Sequence, residues 1–151
     1  MKAFQAIYRF WVTILTAAVV IQIFLAGYGA FDAAGKLEDE GSTIDEDSFH
    51  SGFEPHIALG YLIFLGTLVL LLLSFGARGR GRILRSLAVV GLAALQVVLA
   101  WIGYGIPYVG GGLHPINAFV ILGLLGSITW REWKVERVAA GEPAAAPPSA
   151  A

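Results

Sequence analysis

Hydrophobic residues fall in four long runs along the chain, from about Tyr8 to Phe31, Pro55 to Phe75, Leu84 to Ile106 and His114 to Trp130. Charged residues touch these runs only at their ends, as Arg9 and Arg85 do, and otherwise collect in the stretches between. A helix needs about 17–25 mainly apolar residues to cross a hydrocarbon core, and each run supplies them. None alternates apolar with polar as a barrel strand does, and lipid cannot satisfy an open backbone, so the predicted elements are transmembrane helices. The implied fold class is an all-α membrane protein, a four-transmembrane-helix bundle occupying residues 1–138. The Ala- and Pro-rich stretch 139–151 reads as a disordered tail. The first run exceeds the usual 7–15 residues of a signal-peptide core and shares features with a later one, so it is read as a retained helix.

Charge fixes the orientation. Lys2 and Arg9 precede the first run, Arg78, Arg80, Arg82 and Arg85 lie between the second and third, and Arg131, Lys134 and Arg137 follow the fourth. The segment between the first and second runs instead carries Asp32, Glu38, Asp39, Glu40, Asp45, Glu46, Asp47 and Glu54 against Lys36 alone. Basic residues stay on the cytoplasmic side, so both termini and the Arg-rich turn are expected inside. The acidic 32–54 loop and a Pro107–Gly112 turn are expected outside. The net charge of −1 conceals this asymmetry. With no cysteine in the chain, disulfides, iron–sulfur clusters and thiolate metal sites are excluded.

The chain repeats itself. The first run closes Gln22-Ile23-Phe24-Leu25-Ala26-Gly27-Tyr28-Gly29, and the third closes Gln96-Val97-Val98-Leu99-Ala100-Trp101-Ile102-Gly103-Tyr104-Gly105. The second and fourth each open with a histidine, His56 and His114, followed four residues on by a small residue, Gly60 and Ala118, and then by Tyr61 and Phe119. Two helical hairpins in the same orientation, related by an axis along the membrane normal, account for this pattern.

The paired histidines carry the candidate chemistry. The second and fourth helices run in the same direction, so His56 and His114 are expected at similar depth near the outer edge of the hydrocarbon. Pro55 and Pro115 suit helix starts, and the positive ends of two helix dipoles favour neutral imidazole, the metal-binding form. Gly60 and Ala118, one turn further in, leave room for a flat ligand. Two neutral imidazoles facing one another inside a four-helix bundle can hold haem iron. Gln22 and Gln96 are expected deeper, about two to three turns from the outer boundary at 1.5 Å per residue. They would bond to each other, to backbone or to a cofactor edge.

These His-x-x-x-small motifs, His56–Gly60 and His114–Ala118, resemble the haem-binding four-helix bundles in which the second and fourth helices supply the ligands. One such bundle forms each half of the haem A synthase family, and the small membrane b-type cytochromes are more distantly similar. The resemblance covers all four helices and implies haem b with His56 and His114 as axial ligands. The family has two bundles where this chain has one. Ile57 stands here in place of an arginine that would serve a propionate, and Glu54 is the one carboxylate near the histidines. Catalysis of haem oxidation is therefore not expected. The chain is also similar to a small bacterial four-helix membrane family of uncharacterised function, whose fourth helix carries His-Pro-x-Asn, here His114 to Asn117. That likeness implies a bacterial inner membrane.

Plainer readings stand beside these. First-turn histidines at a membrane interface can simply be solvated, and Gln22 and Gln96 can be interhelical glue worth about 1 kcal/mol each. His50, His56, His114 and the loop carboxylates could instead form an outer site for a divalent metal. Trp11, Trp101, Trp130 and Trp133 read as interfacial belt residues, and the Arg-rich turn as an anchor that could also meet anionic lipid. No ionisable residue lies deep in a run, which argues against proton-coupled transport and ion pumping. Neither a hydrolase triad nor a phosphate-binding glycine loop has a credible placement, and nothing suggests nucleic acid. The expected function is a bis-histidine haem protein in electron transfer or haem handling, partnered by the bilayer and by a redox partner or larger membrane complex. The alternative is a cofactor-free structural subunit of such a complex.

Overall fold

The computed structural model describes residues 2–38 and 46–139. They form four helices: α1 (Lys2–Glu38), α2 (Glu46–Ala77), α3 (Arg80–Gly105) and α4 (Pro107–Ala139). All four are long and apolar enough to cross a membrane. Each packs against its neighbours in chain order, with α4 returning to α1, while the diagonal pairs α1/α3 and α2/α4 make no close backbone contact. The result is an antiparallel up-and-down bundle.

The interior is a narrow seam. On α1 it is the stripe Tyr8, Val12, Leu15 and Val19, spaced at helical intervals, which meets Ile63 and Leu70 of α2, Val89 of α3 and Ile121, Leu125 and Ile128 of α4. Many of the largest apolar side chains point outward, Phe24, Phe31 and Leu72 among them. A water-soluble bundle would not expose so much contiguous apolar surface. In a bilayer that surface is solvated by lipid, and the helices hold together through packing and interhelical hydrogen bonds instead. Trp11 Nε1 donates to Gly66 O across α1–α2 at 2.8 Å, and Trp133 Nε1 donates to Thr13 Oγ1 across α4–α1 at 3.0 Å. Thr16 and Thr129 join their hydroxyls at 2.9 Å. Trp11 and Trp133 are thus interhelical struts rather than belt residues, whereas Trp101 and Trp130 do face outward.

The helices outrun the apolar runs, and this changes the connections. The expected 32–54 loop is largely helical, since α1 continues to Glu38 and α2 begins at Glu46. Beyond the apolar core the two helices still clasp. Phe53 lies on Gly29, where a Cβ would come within 2.7 Å of its ring. Asp32 pairs with Lys36 at 2.6 Å, and Lys36 donates to Ser51 at 3.1 Å. The remaining loop acids Asp39, Glu40 and Asp45, and the 140–151 tail, lie outside the described residues.

The expected Pro107–Gly112 turn is likewise the start of α4, leaving Ile106 as the link from α3. Pro107 takes the first helical position, where the missing N–H costs nothing. Pro55 and Pro115, expected at helix starts, instead lie inside α2 and α4. Their rings remove only the hydrogen bonds that would reach back to the carbonyls of Ser51 and Gly111. Gly110 explains how so tight a link is possible: a Cβ there would collide with the backbone of Gly103 and Ile102. At the other end the chain reverses at Arg78 and Gly79, both at positive φ (55° and 113°), and glycine is what the second of these demands.

Candidate functional site

The repeated Gln and His residues build the same bracket twice. In the first hairpin Gln22 Nε2 donates to His56 O at 2.7 Å, while His56 Nδ1 lies 3.1 Å from Gln22 O. In the second, Gln96 Nε2 donates to His114 O at 3.0 Å, and His114 Nδ1 lies 3.2 Å from Gln96 O. Each pair therefore exchanges two hydrogen bonds between adjacent antiparallel helices. A carbonyl oxygen can only accept, so each Nδ1 must carry the proton and donate. In the neutral ring this leaves the lone pair on Nε2, the arrangement in which a backbone carbonyl orients a metal-binding histidine.

The glutamines were expected deeper than the histidines. They stand level with them, because α2 and α4 begin well before His56 and His114 and so carry the histidines further along the bundle. The histidines also sit well inside their helices rather than in the first turn, so the helix dipoles do not set their state. The carbonyls of Gln22 and Gln96 fix which ring nitrogen carries the proton.

Across the bundle the two imidazoles approach one another from the diagonal helices, with ring centres 6.2 Å apart and planes inclined at 57°. An imidazole nitrogen binds a transition metal at about 2.0–2.1 Å, and the ring centre lies about 1.1 Å behind it, so two imidazoles on opposite sides of one ion have centres about 6.3 Å apart. The observed spacing matches that requirement. Among the described residues no group of three or more His, Cys, Asp or Glu side chains is gathered for a metal ion. Two imidazoles are too few for a bare divalent ion but are the full protein complement for a metal held by a macrocycle. His50, needed for the alternative outer metal site, has its side chain outside the described residues.

Around the imidazoles is a cavity lined mainly by apolar groups from all four helices, with Gly60, Ala93, Ala100 and Ala118 as its small members. Val19 and Ile121 close it toward α1 and α4, both buried. Toward α2 and α3 it opens between Tyr61, Trp101 and Tyr104, which are exposed on the lipid-facing surface. Gly60 does two things here. It lines the cavity, and it lets the Gln22 side chain cross, since a Cβ at Gly60 would come within 3.1 Å of Gln22 Nε2. The cavity is mainly apolar, and both imidazoles stand in its wall.

Asn117 has a structural role here that the motif alone did not reveal. Buried at 7% exposure, it donates through Nδ2 to Gln96 Oε1 at 2.7 Å and to Leu92 O at 2.9 Å. An amide in an apolar run, three residues after a histidine, was the available signal. Compared with known proteins, the chain matches no family, no curated protein and no solved structure.

Proposed function

We propose that the chain is an integral membrane b-type haem protein with His56 and His114 as axial ligands. The observation that carries this reading is the 6.2 Å separation of two imidazoles whose Nδ1 atoms are both committed to backbone carbonyls. Gln22 and Gln96 act as the arms that hold those imidazoles, and Gly60 and Ala118 keep the space beside them clear. His56 and His114 would both hold the haem, which would supply a one-electron couple suited to electron transfer or haem handling rather than oxygen activation. The opening between Tyr61, Trp101 and Tyr104 would present the macrocycle edge to hydrocarbon, so a partner embedded in the membrane suits it better than a soluble one.

The same reading sets both termini in the cytoplasm of a bacterium, with the site near the outer surface of the inner membrane. Arg78, Arg80, Arg82, Arg85, Arg131, Lys134 and Arg137 at the opposite end support this orientation. The test is a hemin titration of the detergent-purified protein beside the double variant His56→Ala/His114→Ala. Saturable uptake near one haem per chain by the parent and none by the double variant is the expected result. Equal uptake by both would mean that haem partitions into the apolar surface, leaving a structural subunit as the better account.

A further inference from the structure

The two brackets differ at one point, and the difference separates the two histidines. In the second hairpin the Gln96 amide is held at both ends: Oε1 accepts from Asn117, and Nε2 donates to His114 O. Asn117 is itself anchored on Leu92 O. The Gln96 amide cannot rotate without breaking bonds to two neighbours, and its residue supplies the carbonyl that receives His114 Nδ1.

In the first hairpin the position three residues after the histidine is Leu59, a partly buried core residue with no donor to offer. Gln22 Oε1 is accordingly buried with no hydrogen-bond partner. The carbonyl equivalent to Leu92 O would be that of Ala18, one turn before Gln22. An unpaired buried acceptor is costly, and it leaves the Gln22 amide tethered through Nε2 alone. Phe53 meets the His56 ring edge-on, with centres 6.3 Å apart. That contact limits where the ring goes but not which nitrogen it presents.

We propose that Asn117 is a positioning residue that makes His114 the fixed imidazole of the pair and leaves His56 the one that yields. In a haem protein this would make His114 the permanent ligand and His56 the exchangeable one, on whose side haem is admitted or released. That consequence rests on the haem reading above, whereas the difference in rigidity does not.

The rigidity is tested without haem, on the full-length protein labelled with ¹⁵N-histidine in detergent or bilayers, by following exchange of the imidazole Nδ1–H with solvent. The His114 proton should exchange roughly tenfold more slowly than that of His56, as expected for an arm with one further hydrogen bond to break. Asn117→Leu should bring the His114 rate up to that of His56. Leu59→Asn supplies the missing donor and should slow His56 toward His114, so the test survives if Asn117→Leu fails to fold. Equal rates in the parent, or no slowing of His56 in Leu59→Asn, would overturn the proposal.

The haem consequence has its own readout, the haem retained through purification. His56→Ala should keep it, His114→Ala should lose it, and adding Leu59→Asn to His114→Ala should restore it. Retention by His114→Ala together with loss by His56→Ala would reverse the assignment. If the parent binds no haem, the haem reading fails, and the exchange rates still decide the role of Asn117.

Discussion

Glu132 offers the sharpest test of how the bundle is closed at the end away from the histidines. Its carboxylate is buried at 6% exposure and takes three hydrogen bonds from Arg82: Nε to Oε1 at 3.0 Å, Nε to Oε2 at 3.1 Å and Nη2 to Oε2 at 2.8 Å. The same guanidinium donates through Nη1 to Arg78 O at 3.1 Å and lies 6.0 Å from the Tyr8 ring centre. One side chain thus ties the end of α2, the start of α3, the end of α4 and the start of α1.

Charge-assisted hydrogen bonds are worth about 1.5–3 kcal/mol each, but these share one pair of groups and do not add. Removing one partner of a buried pair costs about 3–5 kcal/mol, mostly because the other charge is stranded. Arg82 is 19% exposed and has alternative acceptors in backbone carbonyls, so the cost falls to the bottom of that range or just below it. Glu132→Gln should therefore destabilise the protein by about 2–3 kcal/mol. Arg82→Met should do the same, and the double variant should be no worse than either single one, because no charge is left unpaired. The assay is reversible unfolding in mixed micelles, run as a double-mutant cycle. Single-variant losses below about 0.5 kcal/mol, or strict additivity, would refute the claim that this pair is a desolvated latch.

Other substitutions probe other contacts. Gly110→Ala puts a methyl group into the backbone of Gly103, so it should force α3 and α4 apart and markedly lower the melting temperature, while Gly111→Ala, with open space around its Cβ, should be tolerated. Trp11→Phe keeps the ring packing but loses the hydrogen bond to Gly66 O, and a loss of about 1 kcal/mol is expected in the same unfolding assay. Gln96→Leu leaves one N–H of Asn117 Nδ2 without its acceptor and removes the donor to His114 O, so it should destabilise more than Gln22→Leu, which also removes an acceptor that is already unpaired. Equal losses at the two glutamines would argue against the asymmetry between the hairpins.

The four helices were legible because the pattern that defines them is coarse: long apolar runs separated by charge need no partner to be recognised. Their ends were not. The acidic residues after Phe31 mark where lipid stops, but a helix can continue into water, and Asp32 with Lys36 helps this one to do so. Pro55 and Pro115 suggested helix starts because proline is favoured there, yet Pro107 and the contact between Gly110 and Gly103 set where α4 begins.

The histidines and glutamines could be picked out as repeated rare residues. Their reciprocal pairing could not, since half of each bracket is a main-chain carbonyl whose position depends on the register of two antiparallel helices. Glu132 was hidden for a different reason. Among Arg131, Lys134 and Arg137 it looks like one more charge at a solvated end, and only the fold brings Arg82 to it. Asn117 was visible as a motif residue, but its purpose requires Gln96, a residue on another helix.

Whether His56 and His114 hold a common iron, as we propose, is decided by the visible spectrum of the detergent-purified, hemin-reconstituted protein, dithionite-reduced minus air-oxidised. A sharp low-spin b-type difference spectrum that disappears in the His56→Ala/His114→Ala double variant is the predicted result. A flat spectrum, or a broad high-spin one unchanged in that variant, would contradict it.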